Sequence, residues 1–444
     1  MIFAQNMNLI RHITAVAAAS LMWCAYVTAA DSIHVDTKLS DVGVGYSATS
    51  VNAAVFRNSS IVTFGKQQYV SYYDAEGWLT IAKRRLGTDK WTVRRSQYKG
   101  NVADAHNVIS IMVDGDGYLH AAFNHHDVPL NYCRSVAPGS LELGPLEPMT
   151  GIDELSVTYP EFYRLADGSL LFVYRSGRSG RGNLVMNRYD LKTRTWSRLH
   201  DVLIDGEDKR SAYWQLCTDK EGTIHLSWVW RETWGVETNH DICYARSRDG
   251  GKTWEKSDGG KYSLPITAAN AEYAWRIPQK SELINQTGMA ADADGHPYIS
   301  TYWRESNDSV PQYRMVWNDG KEWRCRCVSD RTTPFSLSGG GTKMIPISRP
   351  RILVDGHKAY ILFRDVERGS RVSMYEVDTR DGGKTSVADL TDLPVDAWEP
   401  TFDTCLWTDS RRLSVFVQRV GQGDGERLSD MDPQPVSVLD VKLR

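Results

Sequence analysis

Three of the chain's 11 histidines lie at the two ends of one short predicted hairpin, DAHNVISIMVDGDGYLHAAFNHH, residues 104–126. Apolar residues alternate on both sides of an Asp-Gly turn, a pattern typical of a β-hairpin. With the turn centred after Gly115, His106 faces His125 across the hairpin and His126 lies diagonal to it. A slip of one residue would exchange the two. The hairpin therefore gathers imidazole groups, which exchange protons near neutral pH, at one end.

The same unit, a polar turn followed by a short apolar or aromatic strand, recurs along the chain. Seven turns lie 51 to 73 residues apart, at Gly65, Gly117, Gly168, Gly222, Gly295, Gly356 and Ser410. A repeat of about 50 residues is the size of one four-stranded propeller blade. The sequence therefore predicts an all-β fold, a seven-bladed β-propeller closed by pairing of its first and last strands. Two β-sandwiches, the alternative, fit the regular spacing less well.

Two further segments support a propeller. SRDGGKTW, residues 247–254, is an Asp-box, the hairpin turn of sialidase-like propellers, and TRDGGKTS, residues 379–386, is a degraded copy. In such a turn the aspartate accepts backbone N–H groups, the glycines supply positive φ and the tryptophan packs beneath the hairpin. An Asp-box indicates fold and carries no catalytic information.

Matching positions of successive repeats carry polar side chains. Before the turns stand Asn52, His106, Tyr159, Tyr213, Gln286, Arg349 and Glu399, and after the strands stand Asp74, His126, Arg175, Arg231, Arg304 and Arg364. If these positions face a central funnel, its mouth is rich in Arg, His and Tyr and favours an anionic ligand. Each residue alone has a structural explanation, such as packing or bonding to backbone carbonyls. Their coincidence in the second and third repeats favours a functional site.

Composition narrows the class of protein. The chain has 444 residues and a net charge of −3, which excludes nucleic-acid binding by bulk electrostatics. Its 15 tryptophans and 21 tyrosines suit strands and sugar-stacking surfaces. Residues 1–30 have the basic start, apolar stretch and small residues of a signal peptide, so we expect export of a single mature domain, residues 31–444. A membrane anchor is the alternative, but the apolar run is short, and no insertion after cleavage is expected.

The candidate residues suit β-elimination from a uronic acid. Arg175 and a histidine would neutralise the carboxylate, which makes the adjacent C5 proton easier to remove. Tyr159 or His106 would take that proton, and a tyrosine hydroxyl would protonate the departing oxygen. The predicted substrate contacts are His125 and the ring positions Tyr213, Arg231, Arg304 and Arg349. No organic cofactor is needed.

The segments ADAHNVISIMVDGDGYLHAAFNHH, TYPEFYRLADGSLLFVYRSGRSGRGN and SAYWQLCTDKEGTIHLSWVWRET carry a resemblance to the BNR-repeat propeller family. That family includes the ulvan lyases of polysaccharide lyase family 25 and the α-L-rhamnosidases of glycoside hydrolase family 145. The lyase resemblance implies a site of two histidines, a tyrosine and an arginine at His106, His126, Tyr159 and Arg175. It also implies that Tyr213 contacts the substrate, an anionic, rhamnose-linked polysaccharide or oligosaccharide.

The alternatives are a hydrolase and a silent binding propeller of the same fold. Rhamnosidases of this family act from the opposite face through a histidine in the first blade, where this chain has Phe64. A phenylalanine cannot transfer protons, so the resemblance favours the lyase.

A second constellation concerns metal binding. Cys217, His225, His240 and Cys243 all fall within one predicted blade, and two cysteines with two histidines suit tetrahedral zinc. The lyase resemblance also implies a structural metal in this region. Buried thiols with a structural histidine, or a Cys217–Cys243 disulfide, are the alternatives. Cys325 and Cys327 are two residues apart on a strand, so we expect them not to pair with each other.

Overall fold

The computed structural model describes residues 33–286, 288–380 and 382–443. The predicted signal peptide, residues 1–30, lies outside them, and its cleavage stays a prediction. Within the described ranges, no helix is long and apolar enough to cross a membrane. All six cysteines described there are free thiols.

The fold is built almost entirely from β-strands. In chain order they are β1 (Val35–Gly45), β2 (Ile61–Phe64), β3 (Gln67–Tyr73), β4 (Trp78–Arg85), β5 (Thr92–Lys99), β6 (Ile109–Val113), β7 (Leu119–Phe123), β8 (His126–Val128), β9 (Tyr132–Arg134), β10 (Val157–Arg164), β11 (Leu170–Arg178), β12 (Arg181–Asp190), β13 (Thr195–Arg198), β14 (Ser211–Thr218), β15 (Ile224–Arg231), β16 (Asn239–Ser247), β17 (Glu272–Trp275), β18 (Gly288–Ala291), β19 (Pro297–Trp303), β20 (Gln312–Asn318), β21 (Trp323–Cys327), β22 (Arg351–Asp355), β23 (Lys358–Phe363), β24 (Ser373–Asp378), β25 (Thr385–Asp389), β26 (Thr401–Phe402), β27 (Leu413–Gln418) and β28 (Gln434–Leu443). Two 3₁₀ turns, Val236–Thr238 and Val366–Arg368, and one α-helix, α1 (Thr404–Ser410), complete the described elements.

Successive strands form small antiparallel sheets. Four-stranded sheets consist of β2–β5, β18–β21 and β22–β25, and a three-stranded sheet consists of β6, β7 and β9. A nine-stranded sheet contains β8 and two four-stranded groups, β10–β13 and β14–β17, which meet at one parallel bridge between Gly182 and Ser211. Buried residues of neighbouring sheets share one core, as Val62, Ile111 and Phe172 do. The repeat in the sequence therefore corresponds to a repeat of sheets.

The first and last strands of the described chain pair with each other. β1 runs antiparallel to β28 from Val35 opposite Leu443 to Gly45 opposite Gln434, and the remaining sheet order is β28, β27, β26. This is the predicted pairing of the two terminal strands. It joins residues from opposite ends of the chain in one sheet and covers an edge that β28 would otherwise expose.

The hairpin at residues 109–123 has a register one residue away from the prediction. Ile109 pairs with Phe123, where the predicted register would pair it with Ala122. The turn is centred on Asp116 because the carboxylate of Asp114 accepts the backbone N–H groups of Asp116 and Tyr118, while Gly117 adopts a φ of +88°. The predicted pairing of His106 with His125 was therefore wrong.

The last repeat departs from the others. Where the sequence predicts a turn at Ser410, the chain forms α1, whose N-cap Asp403 accepts the N–H of Leu406 through its side chain. The carboxylate of Asp403 is also hydrogen-bonded to Thr63 and Gln68, so the helix is attached to β2 and β3. The turn prediction failed here because α1, and not a tight turn, connects the antiparallel strands β26 and β27.

The Asp-box has the predicted geometry. The carboxylate of Asp249 accepts the backbone N–H groups of Lys252 and Thr253 at 3.0 and 2.9 Å, and the Thr253 hydroxyl at 2.7 Å. Gly250 and Gly251 have φ values of +75° and +91°. The indole of Trp254 is buried and donates to the carbonyl of Gly251.

We expect Asp249→Ala to lower the free energy of unfolding by about 1–2 kcal/mol, because several backbone and side-chain donors lose a charged acceptor. Burial raises the pKa of Asp249, but the hydrogen bonds from Thr253 outweigh this and lower it. The difference in the free energy of unfolding between the wild type and Asp249→Ala is therefore largest above about pH 4 and decreases at lower pH. Thermal unfolding at a series of pH values measures this difference. Asp201→Ala, which removes an exposed carboxylate, is the matched control. Equal losses in both variants would contradict the role of the turn.

Candidate active site

A cavity of about 170 Å³ collects side chains from several sheets and loops. The four residues predicted to be catalytic and three of the predicted substrate contacts line it: His106, His126, Tyr159, Arg175, Tyr213, Arg231 and Arg349. The register of the strands explains part of this grouping. Thr158 of β10 lies opposite His126 of β8 on one side and Arg175 of β11 on the other.

One carboxylate holds both histidines. Oδ1 of Asp104 is 2.9 Å from Nδ1 of His106, and its Oδ2 is 2.6 Å from Nδ1 of His126. The two imidazole rings stack with a centroid distance of 4.0 Å and an angle of 18°. Because both Nδ1 atoms are engaged, Nε2 of each ring is the nitrogen left for a ligand. The same two hydrogen bonds lower the pKa of Asp104 despite its burial, so it is a carboxylate.

His106 has a second acidic neighbour. Oε1 of Glu426 lies 3.0 Å from Nδ1 of His106. The imidazole ring also stacks on Phe56, with a centroid distance of 5.3 Å. Burial disfavours the charged imidazolium, but the hydrogen bonds to Asp104 and Glu426 outweigh this and raise the pKa of His106 to about 9. At neutral pH His106 is therefore a cation and a proton donor.

Two buried guanidinium groups face the cavity beside one phenol. Arg175 and Arg231 are 2% and 6% exposed, and their Nη1 atoms lie 3.3 and 3.4 Å from the hydroxyl of Tyr213. Within the described ranges neither has an acidic partner. Arg175 otherwise donates to Thr158 and the carbonyl of Gly177, and Nε of Arg231 is buried without a hydrogen bond.

The phenol between the two guanidinium groups responds to their charge. Burial alone would raise the pKa of Tyr213, but the positive charges of Arg231 and Arg175 outweigh burial and lower it to about 8. Ser179 adds a hydrogen bond of 2.8 Å to the same hydroxyl. Arg175, Arg231 and Tyr213 therefore form a part of the cavity that favours an anion. We call these three residues the cationic corner.

Tyr159 occupies a strained backbone position. Its φ is +57°, and regular pairing of β10 with β11 is interrupted between Thr158 and Glu161. A left-handed conformation costs a non-glycine residue about 1–3 kcal/mol, and such costs cluster at functional sites. The ring contacts Phe56 edge-on at 5.3 Å, and the guanidinium of Arg175 lies 5.0 Å from its centroid. Burial raises the pKa of Tyr159, so its phenol is neutral.

Three predicted substrate contacts are placed differently. Arg349 lines the cavity, but its guanidinium forms two hydrogen bonds with Glu399, of 2.7 and 2.5 Å, which neutralise its charge. His125 is fully buried outside the lining; its Nε2 accepts the N–H of Asn131, and burial lowers its pKa to about 3. Arg304 is also outside the lining and donates to backbone carbonyls, including that of Lys280.

The four predicted metal ligands do not converge. Cys217 lies opposite His225 across β14 and β15, on one face of the sheet, whereas Cys243 and His240 lie opposite Trp228 and Trp230, on the other face. Both histidines already have hydrogen-bond partners for their ring nitrogens. His225 bonds to Tyr244 and Asp219, and His240 bonds to Glu232 and Asp241. In this arrangement the four side chains do not fit one tetrahedral zinc ion.

The same hydrogen-bond pattern as at His225 recurs at His120, in the hairpin of β6 and β7. His120 bonds to the hydroxyl of Tyr132 at 2.7 Å and to the carboxylate of Asp114 at 3.1 Å. His225 repeats both distances with Tyr244 and Asp219. A histidine that follows an Asp-Gly-type turn is therefore structural in both hairpins.

Sequence reasoning missed several residues of the site. Asp104 stands two residues before His106, a spacing that suggests a shared hydrogen bond, but Glu426 follows about 320 positions later with no local signal. Trp234, 66% exposed, lines the cavity after β15 and was also missed. Phe64, the residue at the rhamnosidase position, ends β2 and packs beneath the guanidinium of Arg164 at 5.7 Å.

Comparison with known proteins gives the site a context. Over 157 residues the chain is 30% identical to an ulvan lyase, long isoform, of Pseudoalteromonas sp. (strain PLSV), covering 25% of this chain and 15% of that protein. An ulvan lyase, long isoform, of Glaciecola sp. (strain KUL10) is 28% identical over 155 residues, with 26% and 15% covered. The chain thus matches only about 15% of the length of these curated relatives.

Solved structures match over nearly the whole chain. The crystal structure of polysaccharide lyase Uly1 has a TM-score of 0.67 at 14% identity, covering 93% of this chain and 100% of that one. A family 25 ulvan lyase bound to -[GlcA(1-4)Rha3S]- has a TM-score of 0.62 at 16% identity, covering 91% and 94%. At these identities the likeness is one of fold.

A family model described as "BNR repeat-containing family member" matches residues 67–331, which include the Asp-box and all four residues predicted to be catalytic. The chain belongs to the BNR repeat-containing family.

Proposed function

We propose that this protein is a polysaccharide lyase that cleaves uronate-containing glycans by β-elimination. The observation that carries the proposal is the cationic corner, where two buried guanidinium groups with no acidic partner among the described residues face a cavity that also holds two stacked histidines. Buried charge is normally paired, so a site of this kind calls for an anionic ligand.

The carboxylate of the uronate would bind in the cationic corner. Arg175 and Arg231 offer N–H donors from two sides of the cavity, and the Tyr213 hydroxyl lies between them. Neutralising the carboxylate lowers the energy of the carbanion that forms when the C5 proton leaves. The corner would thus bind the substrate and stabilise the intermediate through the same contacts.

The imidazole pair would move the protons. His126 donates Nδ1–H to Asp104, which leaves a lone pair on Nε2 that accepts the C5 proton. The electron pair of that bond forms the C4–C5 double bond, and the C4–O bond breaks. The departing oxygen takes its proton from the imidazolium of His106 or the neutral phenol of Tyr159. The sequence offers His106 as one candidate base, but its raised pKa leaves it protonated. We therefore propose His126 as the base.

The carboxylates near the cavity favour a lyase over an ordinary glycoside hydrolase. Glycoside hydrolysis commonly uses two carboxyl groups that flank the scissile bond. Here Asp104 is bound to both histidines, and Glu426 is bound to His106 and to backbone N–H groups. Both therefore act on the imidazoles and not on a sugar.

We also propose the architecture of the enzyme, its substrate and its export. The sheets described above would be the blades of a seven-bladed propeller, with β1 and β28 closing the ring. The substrate would be rhamnose-linked and ulvan-like, as the similarity to ulvan lyases suggests. Export through residues 1–30 would bring the enzyme to such a polysaccharide.

The reaction is tested on a panel of uronic glycans. We expect a rise in the ultraviolet absorbance of unsaturated uronate, and products whose masses show no added water. His126→Ala should lower kcat/KM by about 10²–10⁴-fold, because a general base is lost. His296→Ala, at a turn outside the cavity, is the control. Products that have gained water, or full activity of His126→Ala, would contradict the proposal.

Tyr213 offers a test of anion recognition. In the free protein its phenol should ionise near pH 8, and a bound uronate should move this ionisation to higher pH, because the ligand's charge opposes a second anion. The ultraviolet absorbance of tyrosinate follows it, and Tyr213→Phe removes the signal. If uronic oligosaccharides leave the titration unchanged, the carboxylate does not bind in the cationic corner.

A further inference from the structure

We infer that Glu426, on the loop before β28, is a positioning residue of the active site that fixes the orientation and the charge of His106. It lies outside residues 67–331, the part of the chain that matches the family, and about 320 positions from His106. The importance of the contact for catalysis rests on the proposed function, whereas the contact itself is open to a test without substrate.

The carboxylate of Glu426 joins three segments of the chain. Oε1 lies 3.0 Å from Nδ1 of His106 and accepts the backbone N–H of Thr342 at 2.6 Å. Oε2 accepts the N–H of Ala105 at 3.1 Å. The loop before β6, the loop before β22 and the loop before β28 therefore meet at one side chain, which is only 23% exposed.

Other contacts attach the Glu426 loop independently of this carboxylate. The N–H of Gly425 donates to the carbonyl of Thr342 at 2.9 Å. Nζ of Lys343 lies 2.8 Å from Oδ2 of Asp424, and the N–H of Met344 donates to Oδ1 of the same residue. Asp424 thus holds the loop without bonding to His106, and it offers a matched comparison for Glu426.

The charge on His106 depends on its surroundings. Within the residues that the structure describes, the titratable and charged groups around it are Asp104, Glu426, His126, Tyr159, Tyr213, Arg175, Arg231, Lys343 and Arg349. Only Asp104 and Glu426 among them are acidic, and both bond to Nδ1 of the imidazole. A neutral His106 would leave these two carboxylates repelling each other across one N–H group. The imidazolium relieves that repulsion.

Glu426 makes the environments of the two stacked rings, His106 and His126, different. The rings of His106 and His126 stack 4.0 Å apart and both bond to Asp104, but in the described part of the chain only His106 of the pair also bonds to Glu426. Glu426 would therefore assign the roles of the pair: His106 as cation and donor, His126 as base. Asp104 alone cannot do so, because its carboxylate is shared by both rings.

The test is the titration of His106 by NMR in the full chain, through its ring protons, with His106→Gln used for assignment. In Glu426→Gln we expect the pKa of His106 to fall by about one to two units, since one of two anionic partners is lost. Asp424→Asn should leave this pKa in place although it loosens the same loop. Glu426→Asp, which keeps the charge, should restore most of the wild-type value.

Activity provides the second readout. The alkaline limb of the pH profile of kcat/KM should move to lower pH in Glu426→Gln by the same amount as the NMR titration, and stay in place in Asp424→Asn. An unchanged His106 pKa in Glu426→Gln, or an equal fall in Asp424→Asn, overturns the inference. If the wild type eliminates no uronic glycan, the proposed function fails, but the NMR titration still decides the role of Glu426.

Discussion

Two buried positive charges, Arg175 and Arg231, which have no acidic partner in the described part of the chain, are the constraint on which the rest of the site depends. Of the other buried arginines, Arg349 and Arg331 pair with Glu399 and Asp365. Arg57 and Arg364 donate instead to backbone carbonyls. Removing an unpaired ion from water costs several kcal/mol. Arg175 and Arg231 share a phenol instead, and the low pKa of Tyr213 reflects the positive potential that they create. The cavity is therefore complementary to an anion before any ligand arrives.

The negative charges are placed where they control the histidines. Asp104 bonds to both rings and Glu426 to one, so the stacked imidazoles differ in their surroundings although they touch. Neighbouring groups with different environments titrate apart, which is how one site supplies both an acid and a base. The cavity thus has two different parts, the cationic corner and the carboxylate-bound histidines. Their separation would orient an anionic ligand, with its negative charge in the cationic corner.

Sequence alone could predict the repeated strands, the Asp-box and the grouping of His106, His126, Tyr159 and Arg175. It failed on register, because Asp114 sets the centre of the turn by accepting two N–H groups, a contact that composition does not reveal. It also placed Arg349 among the substrate contacts, although its guanidinium is bonded to Glu399, 50 residues away in the chain. The proposed metal ligands fell on opposite faces of a sheet, which strand alternation decides only once the pairing is known.

The role of a histidine in this chain follows from its place relative to the hairpin. His120 and His225 come directly after a turn, where the turn aspartate and a tyrosine of a neighbouring strand occupy both ring nitrogens. His106 precedes its strand in a loop, and His126 begins the short β8 beyond the hairpin. There the regular ladder has ended, and each ring keeps one nitrogen for chemistry. The same reasoning applies to Tyr159, which interrupts β10 with a positive φ. The repeat supplies the rigid sheets, and the departures from the repeat at their ends supply the reactive groups.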